Sequence, residues 1–282
     1  MFCGKSYAKI NLFLRVFGKE DGFHLLDSVF AFLDICDDIS IKKSTEFKVN
    51  ISGEHASFVD HEKNIFSAIA SYFKQGFNIH DNVEIDLTKN IPVEAGLGGG
   101  SSNGACLIKY FNNEYSLGLN FKELQEISFK FGSDIAFFLQ DKASIVKNRG
   151  EVICKVKEFD PIDAILIIPN FGLSTKDVFG KFDGNFSQEI KIEDIANKST
   201  SELIADYKND LFAPACEIKP ELREIYDFAK SIGVGDIKMS GTGSTMFAIV
   251  AYDKSEETLN ELKKRFIDYR IIKSKVLYEL PL

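Results

Sequence analysis

The 282-residue chain lacks any pair of cysteines at C-x-x-C spacing. Its five cysteines, Cys3, Cys36, Cys106, Cys154 and Cys216, are odd in number and widely scattered. That pattern excludes a disulfide frame and a cysteine zinc site, and fits reduced thiols in the cytoplasm. His55, His61 and His80 have no carboxylate or cysteine at ligand spacing, so no metal site is expected. No apolar run approaches the roughly 20 residues of a membrane span. The opening, with one lysine and no long apolar core, has no signal-peptide character. Excess basic charge is also missing. The net charge is −8, and the clusters Lys42-Lys43 and Lys263-Lys264-Arg265 are short enough to read as solvated faces, so no nucleic-acid surface is expected. Internal repeats and low-complexity segments are absent too. What remains is an ordinary soluble globular composition, 45% hydrophobic and 27% charged, long enough for one large or two medium domains.

One stretch stands out, Ile91 to Ala105, in which Gly96, Gly98, Gly99 and Gly100 precede Ser101, Ser102 and Asn103. Glycine lets a backbone turn tightly and approach a bulky anion. The serines and Asn103 are good N-cap residues, and Ala105, Ile108 and Phe111 recur at helical spacing. With a strand over Val83 to Leu87 ahead of it, the stretch reads as strand, glycine loop, helix. Backbone amides and the helix dipole then converge on one point suited to a phosphate. The dinucleotide fingerprint fails at Ser101 and Asn103, and the lysine-bearing P-loop fails at Ala105 and Cys106.

The rest alternates strands and helices. Residues 5 to 18 alternate as a strand with Lys9 and Asn11 on one face, and Phe23 to Phe30 reads as a second strand or short helix. Asp37-Asp38 breaks the pattern before a strand over Ile39 to Val49. A helix follows over 64 to 77 behind an Asn64 cap, and another over Phe121 to Phe131. Paired strands are predicted over Ala143 to Val146 and Val152 to Val156, and an apolar strand over Ala164 to Ile168. Residues 180 to 200 read as an irregular, mobile surface segment. A helix over Leu222 to Ile232, a second glycine turn at Ser240 to Ser244, a charged helix over Ser255 to Phe266 and a last strand complete the chain.

Phosphoryl transfer to an alcohol needs a group that accepts the hydroxyl proton and cations that offset charge. Asp134, between a helix end and the apolar run Ile135 to Leu139, reads as a partly buried carboxylate in need of a partner, and Lys9 could be one. Taken singly, Lys9 reads as a solvent-facing lysine and Asp134 as a helix cap or a member of an ion pair.

Three motifs then resemble the GHMP kinase superfamily in order and spacing. These are Ala8-Lys9-Ile10-Asn11-Leu12, the loop Pro92 to Ala105, and Met239-Ser240-Gly241-Thr242-Gly243-Ser244. Asp21-Gly22-Phe23-His24-Leu25-Leu26 and Gly132-Ser133-Asp134-Ile135-Ala136-Phe137-Phe138 resemble the branch that phosphorylates a cytidine-diphosphate-linked sugar alcohol. The resemblance implies a two-lobed α+β fold: a ribosomal-S5-like α/β lobe over residues 1–160, a ferredoxin-like α+β lobe over 161–282, and the active site between them. It implies Asp134 as base and Lys9 as the group that orients and polarises the hydroxyl. ATP would be bound by Glu94, Ala95, Gly96, Leu97, Gly98, Gly99, Gly100, Ser101, Ser102, Asn103 and Gly104, with Mg²⁺ bridging its phosphates. Phe23 would stack on the cytosine, His24 bond its edge and Phe179, after Thr175, cover its other face. Phe30 would line the same pocket, Asn11 lie beside the acceptor, and Gly241, Thr242, Gly243 and Ser244 close the site. The implied enzyme is cytoplasmic, a monomer or weak homodimer. Phe23 departs from the tyrosine usual there, Ala136 from a proline, Gly104 from an alanine, and Asp141-Lys142 from glycines. Mevalonate-, homoserine- or galactose-type kinases and a non-catalytic nucleotide-binding regulator are the alternatives.

Overall fold

The computed structural model describes residues 2–59, 64–250 and 252–281, so the reading of His61 lies outside the described residues. The first elements are strands β1 (Phe2–Glu20), β2 (Phe23–Ser44) and β3 (Lys48–Ser52), helix α1 (Ile65–Gly76), strand β4 (Asn82–Thr88) and helices α2 (Gly99–Glu114), α3 (Phe121–Ser128) and α4 (Ile135–Phe138). Next come β5 (Ser144–Asn148), β6 (Val152–Lys155), β7 (Ile162–Ile168), then α5 (Thr175–Lys181), α6 (Ile192–Ala196), α7 (Thr200–Asp206), α8 (Phe212–Ile218) and α9 (Glu221–Ser231). Strands β8 (Asp236–Met239) and β9 (Met246–Ile249), helix α10 (Ser255–Arg265) and strand β10 (Arg270–Leu277) finish the chain. The class is α+β. Two compact units interleave along the sequence. One comprises Met1–Ala8, Ile35–Val93 and Gly98–Asp141, the other Lys9–Asp34, Glu94–Leu97 and Lys142–Leu282. The long strands β1 and β2 each pass from one unit into the other, which is why packing does not divide the chain at a single point.

In the first unit β4 runs parallel to β3 and antiparallel to the distal part of β2. Val83, Ile85 and Leu87 alternate onto one buried face, the period-two signature of a half-covered strand. Asn64 caps α1 by accepting from the amides of Phe66 and Ser67, as its sequence position predicts. Phe73 of α1 stacks on Phe111 of α2 with centroids 4.9 Å apart. Gly104 lies where the two helices are close: a Cβ there would stand 2.9 Å from Ile65 Cδ1.

Three local expectations are corrected. Asp37-Asp38 does not break a strand, because β2 continues through both to Ser44 and Asp37 is fully buried. The strand expected over 39–49 is therefore the end of β2 followed by a separate β3. Helix α2 starts at Gly99 behind a left-handed Gly98 (φ 69°), so Ser101, Ser102 and Asn103 lie inside the helix and none is its N-cap. A left-handed glycine ends the loop more tightly than a serine could, and the helix begins earlier.

In the second unit the proximal part of β2 pairs with β5, which pairs with β6. Strand β10 bridges β2 and β7, and β7, β9 and β8 continue antiparallel. The apolar run of β7 is buried along Ala164 to Ile168. Its Ile165 and Ile167 join Leu222, Ile225 and Ala229 of α9 and Leu259 and Leu262 of α10 in one core. Residues 180–200, expected to be irregular surface, contain α6 and bury Ile190 and Ile195. Their polar composition hid two apolar anchors.

Candidate functional site

Lys9 is buried at the middle of β1, with 3% of its surface exposed, which removes the reading of a solvent-facing lysine. A buried ammonium must be hydrogen bonded to be tolerated. Lys9 Nζ donates to Asn11 Oδ1 at 2.7 Å and to the Gly96 carbonyl at 3.1 Å, and lies 4.9 Å from the centre of the Phe30 ring. Strand alternation brings Asn11 to the same side as Lys9. Asn11 Nδ2 donates to Ser28 Oγ at 3.0 Å, and that hydroxyl donates to the Phe13 carbonyl at 2.5 Å. The amide oxygen of Asn11 is thereby turned towards Lys9.

The two glycine-rich turns meet here. Gly96 is left-handed (φ +74°), and a Cβ on it would fall 2.2 Å from the Ser240 carbonyl oxygen, so only glycine fits. Ser240 Oγ donates to the Gly96 carbonyl at 2.9 Å, and the Thr245 amide donates to the Ala95 carbonyl at 3.1 Å. Gly241 lies against Lys9 and Asn11, where an added Cβ would stand 3.4 Å from Lys9 Nζ. Ser244 Oγ donates to the Phe171 carbonyl at 2.6 Å, and the hydroxyls of Thr175 and Thr242 are 3.2 Å apart. The structure therefore brings Lys9, Asn11, Phe30, Gly96 and the 241–244 turn together. Glu94 is exposed and left-handed (φ 53°), an uncommon state for a non-glycine residue. Ala95 and Leu97 are buried and contribute backbone.

Asn209 brings the second turn into shape: its Nδ2 donates to the carbonyls of Met239 and Gly241, each at 2.8 Å. Sequence reasoning missed it, since a lone asparagine in a polar stretch carries no signal of a partner 30 residues away.

In the other unit the phosphate loop opens α2. Gly99 sits so close to its surroundings that a Cβ would meet Ile91 Cγ2 and Lys89 Nζ, both at 2.9 Å. Beneath it Asp37 accepts from Lys89 Nζ (2.7 Å), the amides of Asn90 (2.7 Å) and Ile91 (2.8 Å), and Asn103 Nδ2 (3.0 Å). Asn103 Nδ2 also donates to Ser6 Oγ at 2.9 Å. Burial pulls the Lys89 ammonium below the usual lysine range, and Asp37 opposes that pull. The side chains of Ser102 and Asn103 are thus buried, whereas Gly100 is exposed and Ser101 half-buried. Asp37 and Lys89 are further residues that sequence reasoning missed. Asp134, half-buried, occupies the N-cap position of α4, but its carboxylate does not cap that helix. The helix-cap explanation for this aspartate is therefore removed.

The aromatic residues form a third cluster, in the second unit. His24 stacks on Phe179 (4.8 Å, 17°) and meets Phe182 edge-on (5.7 Å, 85°). Burial lowers the His24 pKa, with Lys19 adding to the effect, and both favour the neutral ring. Phe23 is 53% exposed, and the Arg149 guanidinium lies 3.9 Å from its ring centre. Alternation along β2 directs Phe23 and His24 to opposite faces. The structure brings His24 and Phe179 together directly, and it pairs Phe23 with Arg149. His55 and His80 lie in a half-buried and an exposed position, and among the described residues no three His, Cys, Asp or Glu side chains gather as a metal-ion site. No described helix is long and apolar enough to cross a membrane.

Residues 64–142 match the family model of the GHMP kinases N terminal domain, and residues 192–268 that of GHMP kinases C terminal. The chain is 33% identical over 279 residues to a 4-diphosphocytidyl-2-C-methyl-D-erythritol kinase of Clostridium beijerinckii, covering 96% of this chain and 99% of that one. A relative of the same name from Exiguobacterium sibiricum is 31% identical, covering 90% and 91%. A crystal structure of 4-(cytidine 5'-diphospho)-2C-methyl-D-erythritol kinase is similar with a TM-score of 0.77 at 25% identity, covering 98% of this chain and 99% of that one. A mevalonate kinase crystal structure shares the fold (TM-score 0.67, 18% identity, 99% and 100% covered). The chain belongs to the GHMP kinases, in the 4-diphosphocytidyl-2-C-methyl-D-erythritol kinase family.

Proposed function

We propose that the chain transfers the γ-phosphoryl group of MgATP to the 2-hydroxyl of 4-diphosphocytidyl-2-C-methyl-D-erythritol, giving the 2-phosphate and ADP in the methylerythritol phosphate route to isoprenoid precursors. The observation that carries it is the buried Lys9, held by Asn11 and the Gly96 carbonyl at the junction of both glycine turns. A fixed cation in that position offsets charge on a transferring phosphoryl group and draws electron density from an attacking hydroxyl. Asp134 takes the hydroxyl proton, the role the family resemblance gives it, from a half-buried position at the start of α4. The amides of Gly98 to Ser102, at the start of α2, hold the nucleotide phosphates together with the backbone of residues 94–97, and Asn103 and Gly104 hold the helix in place. The 241–244 turn closes over the transferring group. Phe23, His24, Phe30, Thr175 and Phe179 recognise the cytidine-linked part of the acceptor, and Mg²⁺ enters with ATP as part of that substrate.

The proposal keeps two family lobes along the sequence, residues 1–160 and 161–282; the family models match 64–142 within the first and 192–268 within the second. The proposal includes a cytoplasmic enzyme that is a monomer or weak homodimer. ADP release tests it: with MgATP the purified protein should turn over the cytidine-linked alcohol and not mevalonate, homoserine or galactose. Asp134→Asn should lower kcat by about 10²–10⁴-fold with an unchanged melting temperature. Near-normal turnover by that variant would remove Asp134 from the role of base.

A further inference from the structure

Asp27 and Lys147 stand directly opposite each other in the β2–β5 register. Their side chains form a 2.6 Å ion pair, with Asp27 fully buried and Lys147 5% exposed. Two strands already joined by a ladder do not need such a pair. Removing two charges from water outweighs their attraction unless further hydrogen bonds complete the site. Here one distant segment, residues 189–190, supplies them. The Ile190 amide donates to Asp27 Oδ2 at 2.8 Å, and Lys147 Nζ donates to the Ile190 carbonyl at 2.5 Å. The neighbouring Glu189 carboxylate reaches Lys147 at 3.1 Å. A second tie lies three residues earlier. The Ser187 amide donates to the Val16 carbonyl at 2.8 Å, and its hydroxyl donates at 2.7 Å to Asp210 Oδ2, which also accepts from the Val16 amide.

Residues 187–190 are therefore a strap fixed at both ends to β1, β2 and β5. Immediately before it comes Phe186, whose ring lies 5.8 Å from that of Phe182, the ring that meets His24 edge-on. The ion pair, the strap and the His24–Phe179–Phe182 cluster form one continuous arrangement. Asp27 and Lys147 are too buried to reach a substrate themselves.

We infer that the Asp27–Lys147 pair acts as a positioning device for the nucleobase pocket: by holding the 187–190 strap it sets how Phe182 and Phe179 meet His24, and so governs affinity for the pyrimidine nucleotide part of the acceptor. The inference rests on the proposed acceptor, and the measurement separates the two. Asp27→Asn, Lys147→Met, Lys147→Arg and Ser187→Ala are made in the full chain. Binding of cytidine 5'-diphosphate and of ADP is measured by calorimetry, KM and kcat are measured for both substrates, and amide exchange is followed across 182–190.

Asp27→Asn and Lys147→Met should weaken cytidine diphosphate and raise the acceptor KM by on the order of tenfold to a hundredfold. ADP affinity and ATP KM should stay within about twofold, with exchange faster at Ser187 and Ile190. Lys147→Arg should restore most of the loss. Ser187→Ala, which unfastens the other end without stranding a charge, should shift the same readouts less, so the test survives if the charge variants fold poorly. Unchanged cytidine diphosphate binding in the variants, or equal loss for both nucleotides, would overturn the inference while leaving the acceptor assignment intact. No affinity of the unaltered protein for cytidine diphosphate would overturn the acceptor assignment and the inference together.

Discussion

Two buried Asp–Lys pairs serve the molecule in opposite ways. Asp37–Lys89 directs most of its remaining hydrogen bonds at residues next to the lysine, the Asn90 and Ile91 amides and the Ile91 carbonyl, with Asn103 of α2 as a further donor, and so closes the turn that leads into the phosphate loop. Asp27–Lys147 directs its own at Ile190, 43 residues beyond the lysine, and so fastens a distant segment to the sheet. The charges are of the same kind and equally dry. The difference is in what they complete: a local turn whose loss would disturb the start of α2, against a long-range tie whose loss would loosen an aromatic pocket. Buried charge here is used for positioning, and the position depends on the partner's distance along the chain.

The largest expected effect comes from breaking the local pair. Asp37→Ala leaves the Lys89 ammonium buried without its carboxylate and should lower unfolding stability by about 3–5 kcal/mol, read from urea denaturation. The double variant Asp37→Asn/Lys89→Met should recover much of that loss, and a single-variant loss below about 1 kcal/mol would end the contrast drawn here. Gly53 sharpens the same side. It is left-handed (φ +97°), and a Cβ would fall 2.7 Å from the Lys89 backbone nitrogen. Gly53→Ala should therefore cost about 1–3 kcal/mol and raise the ATP KM without altering the acceptor KM. On the other side Asp27→Asn should cost less, about 1–2 kcal/mol by the same denaturation measurement, because Glu189 still faces Lys147. The smallest effect is a pH dependence. The folded-state pKa of His24 lies below the ordinary 6.5, so the folded protein binds fewer protons there than the unfolded chain. Its contribution to stability is complete above 6.5 and is lost as pH falls through the lower folded value. An acid limb in the melting temperature that flattens in His24→Asn is the expected result.

Much of this was legible in the sequence. The alternation of residues 5 to 18, the Asn64 cap and the glycine loop follow local rules, and the structure reproduces them as β1, α1 and the entry to α2. Lys9 and Asn11 could be put on one strand face from spacing alone. What escaped were residues whose meaning lies in remote partners. Two adjacent aspartates look alike whether they end a strand or whether one is buried under a lysine 52 residues away, and Asp37 is the latter. Ser101 to Asn103 resemble caps by type, yet a left-handed Gly98 ended the loop first. Residues 180–200 looked irregular because the groups that tie Ile190 belong to strands read separately. The meeting of His24 with Phe179 has no local signal either, and only the family resemblance placed the two in one pocket.

The start of α2 carries a thermodynamic consequence. Gly98 has no side chain to cap the helix, and the first turn contains no acidic residue. The first amides of a helix have no intrahelical acceptors. Stability at this point is therefore linked to the supply of an anion that binds the folded form alone. At a hundred times its dissociation constant, such a ligand would add about 2.7 kcal/mol to the unfolding free energy. The protein's resistance to heat and proteolysis should thus follow the concentration of the nucleotide that binds there.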